Sequence, residues 1–379
     1  MTQNNNPFIV SGPIPEKYFC DRKEETGLLN RYIENKENVV LISKRRMGKT
    51  KLIDHCINYT ELGKHNIIID VDILHTSSFR EFIRVFGFAV FKTVAKRSSK
   101  MMKLFTTTMR SLQACFGFDP IQNSPTFDLK LGDILQPDYT LKEIFDVIEK
   151  AERHCLVVFD EFQQVSKYSD ANAEAILRSH IQKVNNANFI FSGSQRRIME
   201  EMFLSEKRPF YQNARTIHLQ PIPLNIYEDF AVCQFQQENK DIEHKAVELT
   251  YNYFSGVTLY MQRIMKEAFS LTPVGECFDK KALENVIDTY ISESATYIRE
   301  QLSMISETQK ELLYAIAKEE KPVKNITSSK FIKKNNLKSS SSVQAAIKKL
   351  LEYDLITRDE GAYSVTDTLM FQWLKKQNM

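Results

Sequence analysis

Along the chain, short continuous apolar runs alternate with stretches in which apolar residues recur every three or four positions. The first run, Val39 to Ile42, reads as a strand buried on both faces, and Leu52, Ile53, Cys56 and Ile57 follow at helical spacing. Before it, Leu28, Leu29 and Tyr32 share one helical face, which predicts a helix docked beside that strand. Residues 66–74, NIIIDVDIL, continuous and β-branched in the first half and alternating in the second, predict a second buried strand, and Phe82, Val85, Phe86, Ala89, Val90 and Val94 a helix over 79–94. Over 96–139 the pattern weakens. Methionines, threonines and the turn residues of FGFDPIQNSP suggest an excursion from the core, either a partner surface or a tolerated insertion. Leu141, Ile144, Phe145 and Ile148 restore a helix, which leads into a strand, CLVVFDEFQQ at 155–164; a helix at 173–184 and strands at 188–195 and 216–222 follow. Five apolar strands alternating with helices imply an α/β fold with a parallel sheet covered on both faces.

Beyond residue 222 the strands stop. Tyr227, Phe230, Ala231 and Phe235, then Val247, Leu249, Tyr253 and Phe254, then Leu259, Ile264 and Phe269, mark a group of helices, with Gly256 interrupting two of them. Helices at 307–316, 328–334 and 339–353, the last with Val343, Ile347, Leu350 and Leu351 inward, precede a hairpin with a Gly turn at 354–366. Three helices and a hairpin describe a winged helix. The expected organisation is therefore a core over 1–222, a helical lid over 223–304 and a winged-helix domain over 305–379.

Composition changes this picture little, and charge changes it locally. With 42% hydrophobic and 11% aromatic residues in 379, the chain has the make-up of a folded cytoplasmic protein of two or three domains. The start carries no basic segment followed by an apolar core, and no apolar run approaches membrane-spanning length, so membrane insertion is not expected. The six cysteines lack ligand spacing and several lie in apolar runs, which suits small buried side chains rather than a structural zinc. The formal charge of +3 divides unevenly: the residues from Lys321 onward carry +6, leaving −3 for the rest. That basic excess fits double-stranded DNA better than an even spread would, although a solvated lysine face explains any single run equally well.

Between the first strand and its helix, residues 43–50 match G-x-x-x-x-G-K-[ST] except at the first position, where Ser43 stands for glycine. A loop of this kind wraps a phosphate chain with main-chain N–H groups at a helix N-terminus, and Gly48 lets the backbone approach closely. The nucleotide-binding set is thus Ser43, Lys44, Arg45, Arg46, Met47, Gly48, Lys49, Thr50 and Lys51. Lys49 reaches the outer phosphates and Thr50 offers its hydroxyl to Mg2+. Phe19 and Arg22, just upstream, are placed to touch the base, or simply to pack. In the strand at 155–164, Asp160 and Glu161 end an apolar run. At the C-terminal edge of a parallel sheet, Asp160 can hold Mg2+ through water while Glu161 orients and deprotonates the attacking water. Ser192, Ser194 and Gln195 end the next strand where a terminal phosphate could be sensed, and one of Arg196, Arg197, Arg208 and Arg215 could act as an arginine finger, with Arg208 favoured. The catalytic set is Glu161, Lys49, Ser194 and Arg208. In the winged helix, Lys338, Lys348, Lys349 and the serines at 339–342 face a major groove, and Arg358 on the wing meets phosphate; such domains also dock proteins.

Taken together, FCDRKEE, SKRRMGKT, VVFDEFQ, the FSGS strand end, RPFY and the terminal winged helix resemble the prokaryotic AAA-like ATPases of the archaeal-ATPase group, a branch of the STAND signalling NTPases. The resemblance covers nearly the whole chain. It implies ATP rather than GTP as the ligand, slow hydrolysis with Mg2+, and a switch between nucleotide states with a regulatory or defence-like role. By position it assigns Lys49 and Thr50 to phosphate and magnesium, Asp160 to magnesium, Glu161 to water activation and Ser192 to Ser194 to sensing. Two departures stand out: Ser43 at the first glycine, and Gly256-Val257-Thr258 where the group commonly has Gly-x-Pro. The alternatives are a DNA-binding regulator for which ATP is a structural ligand, and a nucleotide-gated scaffold that docks a protein partner or a second copy.

Overall fold

The computed structural model describes residues 6–119, 124–128, 130, 134–169, 172–319 and 321–377, so parts of FGFDPIQNSP and of the 96–139 excursion lie outside the described residues. The chain divides into two compact units, one formed by residues 22–44 and 48–220 and the other by residues 1–21, 45–47 and 221–379.

The first unit is built on five parallel strands: β1 (Val39–Ile42), β2 (Ile67–Asp72), β3 (Cys155–Asp160), β4 (Ala187–Gly193) and β5 (Arg215–His218), in the order β2-β3-β4-β1-β5. β1 lies between β4 and β5, and all four of its residues are buried, as a continuous apolar run requires. β2 is buried along one face, in keeping with the alternation of its second half, and not on both. Ile67, Ile69 and Val71 are buried while Asp70 and Asp72 are exposed, because β2 is the edge strand and its second face is open. β5 is shorter than the 216–222 expected. Leu219 N makes the last ladder bond, to Ile42 O at 3.0 Å, and Pro221 and Pro223 have no N–H with which to continue it.

Against the sheet pack ten phenylalanines joined ring to ring in one connected set, among them Phe82, Phe86, Phe159, Phe162, Phe189 and Phe191. Their centroids are 4.6 Å apart for Phe162 and Phe191 and 5.2 Å for Phe86 and Phe159. Each such pair contributes about 0.5–1.5 kcal/mol beyond area burial. The 96–139 region is less of an excursion than its weak pattern suggests. Met101, Phe105 and Met109, four residues apart, are buried on one face, and the buried Glu143 accepts from the N–H groups of Arg110 and Ser111 at 3.0 and 3.2 Å, closing that segment onto the core.

The second unit is helical. Its core includes the helices Leu224–Gln236, His244–Phe254, Thr258–Leu271 and Lys280–Glu293, joined by a two-residue parallel pairing of Asp241–Ile242 with Cys277–Phe278 that no sequence pattern announces. Phe8 is wholly buried among Phe230, Phe235 and Phe269, so the N-terminal segment belongs to this core. Gly256, with φ +65°, cannot carry a side chain: a Cβ would stand 2.8 Å from Pro221 Cβ and from the Tyr251 ring. The winged helix consists of Glu307–Ala317, Ser329–Lys334, Ser340–Glu352 and a hairpin, Ile356–Asp359 with Ala362–Val365. Positive φ at both Glu360 and Gly361 gives the tight turn that matches strand twist. The helix Thr368–Gln377, which the sequence analysis leaves unmarked, covers this domain with Leu369, Met370, Trp373 and Leu374.

Candidate active site

The phosphate loop runs from the end of β1 to the helix Lys49–Tyr59. Ser43 is buried and does not have positive φ, which is how a serine can occupy the first-glycine place; Arg46 and Gly48, at +66° and +89°, make the turn instead. The Ser43 hydroxyl also does something glycine cannot. It accepts from Lys49 Nζ at 3.0 Å and donates to Lys44 O at 2.8 Å, and Lys44 O lies 3.5 Å from the same ammonium. Lys49 is thereby held, buried, at the helix N-terminus.

The second half of the site comes from the end of β3. Thr50 Oγ1 donates to Asp160 Oδ2 at 3.1 Å, which joins the loop to the carboxylate 110 residues away in sequence. Asp160 Oδ1 accepts from Glu161 N at 3.0 Å. On the neighbouring edge strand, register pairs Asp72 with Asp160. Asp70 reaches solvent on the open face of β2, yet partial desolvation by the chain around it, followed by the negative charges of Asp160, Asp54 and Asp72, raises its carboxyl above the ordinary range. A hydroxyl and a carboxylate this close, with further carboxylates beside them, form a hard-oxygen donor set of the kind Mg2+ takes from protein when phosphate supplies the rest.

Glu161 has φ +57° and begins the 3-10 turn Phe162–Lys167. Its Oε2 accepts from Ser194 Oγ at 2.7 Å, from Ser194 N at 3.4 Å and from Gln163 Nε2. Of the strand-end serines, Ser194 therefore meets the carboxylate, while Ser192 is fully buried within β4 and its hydroxyl has no hydrogen-bond partner among the described residues.

Other expected site residues lie elsewhere. Arg208 sits between Glu174 and Glu201, Arg196 bonds Glu200 at 2.8 Å, and Arg215 bonds Glu37 at 2.7 Å, so each is committed to a carboxylate of its own unit. Arg197 is exposed, with no carboxylate partner among the described residues. Burial raises the Glu174 carboxyl despite the opposing Arg208 charge. Arg22 is buried, bonds Glu25 at 2.6 Å and leaves Nη2 without a hydrogen-bond partner among the described residues; Phe19 belongs to the other unit. Lys51 bonds Asp54 at 3.0 Å. The loop residues at 45–47 also count with the other unit. Within it, Arg45 pairs with Asp354 at 3.1 Å, Arg46 with Asp367 and Tyr260, and Met47 is buried in the core. The side chains of Arg45, Arg46 and Met47 are thus turned to protein partners, whereas the loop reading had grouped them with the nucleotide.

On the winged helix, Lys338 and Lys348 are exposed, with no acidic partner among the described residues; Lys349 bonds Glu352 at 2.9 Å and Arg358 lies over the Tyr363 ring at 5.3 Å. Four cysteines are buried, but Cys233 and Cys277 are exposed, against the expectation for the set. Among the described residues no helix is long and apolar enough to cross a membrane. The sequence analysis misses Gln163 and Asp367. The first follows the acidic pair closely, which is a signal of sorts; nothing local marks the second.

A family model described as a probable winged helix domain matches residues 296–376. Among solved structures, a Walker-type ATPase of Pyrococcus abyssi is similar at 17% identity, covering 97% of this chain and 99% of that one, with a TM-score of 0.66. The ORC2 protein of Aeropyrum pernix, in its ADPNP–ADP complexes, is similar at 14% identity, covering 99% and 96%, with a TM-score of 0.59. Comparison with curated proteins finds no match. The chain therefore has the fold of P-loop ATPases that carry a C-terminal winged helix.

Proposed function

We propose that this chain is a cytoplasmic, ATP-binding and slowly hydrolysing AAA-like switch of the STAND kind, with its ATPase core within residues 22–222 rather than 1–222, since residues 1–21 fall in the helical unit, and with 223–304 as a lid and 305–379 as the output domain. The observation that carries the reading is the Thr50 to Asp160 hydrogen bond, which brings the phosphate loop and the acidic strand end into one site. Lys49, oriented by Ser43, binds the outer phosphates. Thr50 and Asp160 hold Mg2+, which neutralises phosphate charge. Glu161 takes the proton of the attacking water and Ser194 ties that carboxylate to the end of β4. An ATPase and a protein solved with ADPNP and ADP share the fold, which supports adenine nucleotide as the ligand. Arg208 is assigned to bracing Glu174 and Glu201, so an arginine finger comes from Arg197 or from a second copy.

The output is contact with double-stranded DNA or with a protein partner. Exposed Lys338 and Lys348, free of acidic neighbours among the described residues, favour DNA, and with it a second reading in which ATP is chiefly a structural ligand. Calorimetric titration with ATP and a phosphate-release assay test the main reading. Lys49→Ala is expected to lose binding, and Glu161→Gln to keep it while turnover falls by about 100-fold or more. Undiminished ATP binding by Lys49→Ala overturns it.

A further inference from the structure

Gln163 is the residue of this region that packing explains least. It is 1% exposed, and of its two amide atoms only Nε2 has a use, donating to Glu161 Oε2; Oε1 is buried without a hydrogen-bond partner among the described residues. The reversed amide would set a carbonyl oxygen against a carboxylate, so the orphan belongs to the native arrangement. An orphaned buried oxygen destabilises a fold, and methionine, of similar length and volume, would fill this space without one. A second observation comes from β4. A Cβ on Gly193 would stand 2.4 Å from Gln163 Oε1 and 2.6 Å from Met199 Sδ, although Gly193 is not in the left-handed region and its backbone does not call for glycine. The strand end is kept bare where the amide lies against it. Third, the donors converge on one oxygen: Oε2 of Glu161 takes Gln163 Nε2, Ser194 Oγ and Ser194 N, whereas Oε1 takes no hydrogen bond among the described residues.

We propose that Gln163 is a positioning residue for the Glu161 carboxylate. With Ser194 it occupies Oε2, and so presents Oε1 to the water that attacks the terminal phosphoryl group. In that step the water oxygen bonds to the γ-phosphorus and the bond from that phosphorus to the β,γ-bridging oxygen breaks. The water proton passes to Glu161 Oε1 and then to solvent, leaving ADP and phosphate. The inference rests on the ATPase reading and adds to it the device that selects which carboxylate oxygen acts. It also accounts for a glutamine with an unsatisfied oxygen in a buried position: the amide is retained for its donor.

The test is Gln163→Met, which keeps volume and removes the donor, together with Gln163→Asn, which keeps an amide but shortens its reach, and Gln163→Met combined with Glu161→Gln. For both single variants kcat is expected to fall about 10–100-fold with the ATP dissociation constant within about twofold, as for loss of an interaction made in the transition state. The melting temperature of Gln163→Met is expected to stay level or rise, since the orphan oxygen is gone. The double variant is expected to be no slower than Glu161→Gln alone, because Gln163 acts only through that carboxylate. Full turnover in the single variants, or a loss that adds to that of Glu161→Gln and follows a lowered melting temperature, overturns the inference and leaves the ATPase reading standing. Absence of turnover in the unaltered chain overturns both.

Discussion

Arg46 and Asp367, 321 residues apart in sequence, form a partly buried ion pair that Tyr260 completes: its hydroxyl donates to Asp367 Oδ1 at 2.6 Å and accepts from Arg46. Burial alone would lower the Arg46 guanidinium, but the Asp367 carboxylate outweighs it and holds the group above its ordinary value. Burial, followed by the Asp367 charge, raises the Tyr260 phenol. All three groups fall in the helical unit, whose core also holds Met47. Asp367→Asn keeps an acceptor for Leu369 N, now 2.9 Å from Oδ1, and leaves the Arg46 charge uncompensated. Urea unfolding is expected to show a loss of about 1–3 kcal/mol in this unit. Asp367→Ala, which also removes the acceptor at the start of the last helix, is expected to cost about 1 kcal/mol more.

The cysteines offer a check on burial. With excess Ellman's reagent at pH 8, Cys233 and Cys277 are expected to react in the native protein, and Cys20, Cys56, Cys115 and Cys155 only after denaturation. Cys233 is expected to react first, because slight desolvation and then the carboxylates of Asp241, Glu243 and Asp279 raise the exposed Cys277 thiol.

The same thiols predict a loss of stability in base. Burial pushes Cys56 up to about 11 and Cys155 up to about 12, from 9.0. The unfolded chain therefore releases these protons first as pH rises. The stability they contribute is full below pH 9 and is lost on approaching 11 to 12, with a slope of up to about 1.4 kcal/mol per pH unit for each thiol. Cys155→Ala is expected to flatten the decline between pH 9 and 12 in urea melts recorded at stepped pH.

What was legible in the sequence was what local chemistry demands. A phosphate loop needs Gly48 and Lys49 in series, and a catalytic strand end needs Asp160 and Glu161 after an apolar run, so both halves of the site could be read from short windows. Contacts made by the folded chain were not legible. The alternation of Asp70, Val71, Asp72 and Ile73 announced an open face, but the apolar start of 66–74 resembles that of a central strand, and the edge position of β2 had no local mark. Asp367 meets Arg46 only after the C-terminal helices pack, and Gln163 acquires its role from Gly193 at the end of β4 and Ser194 just beyond it. The two-residue pairing of Asp241–Ile242 with Cys277–Phe278 is too short to imprint a period. The helix at 368–377 did carry a signal, with Leu369, Met370, Trp373 and Leu374 at helical spacing, but the preceding hairpin already completed a winged helix.

Gly193→Ala asks whether the bare strand end matters to the carboxylate. The added methyl meets Gln163 Oε1 and Met199 Sδ inside van der Waals contact, and Met199 can yield more readily than a turn held between Phe162 and Val165. Overpacking of this kind costs about 1–3 kcal/mol. The expected result is a lowered melting temperature together with a fall in phosphate release, and in the Gly193→Ala, Gln163→Ala double variant, where the amide is removed, the stability loss is expected to shrink.

The lysines of the winged helix separate direct contact with DNA from a merely basic surface. In the helix Ser340–Glu352, Val343, Ala346, Ile347 and Leu350 face inward, which leaves Ser341, Gln344, Ala345 and Lys348 on the outer face. Lys349 is already bonded to Glu352, so it has less charge to offer a phosphate than Lys348. If this face meets duplex, Lys348→Ala is expected to weaken binding and to reduce the slope of log affinity against log salt by about 1, as for the loss of one phosphate contact. Lys349→Ala is expected to change the slope by less, and Lys338→Ala to act as Lys348→Ala does. Fluorescence anisotropy with a labelled duplex across a salt series measures this. Equal slopes in all three variants and the unaltered chain would place any duplex contact on another surface and turn the output domain toward a protein partner.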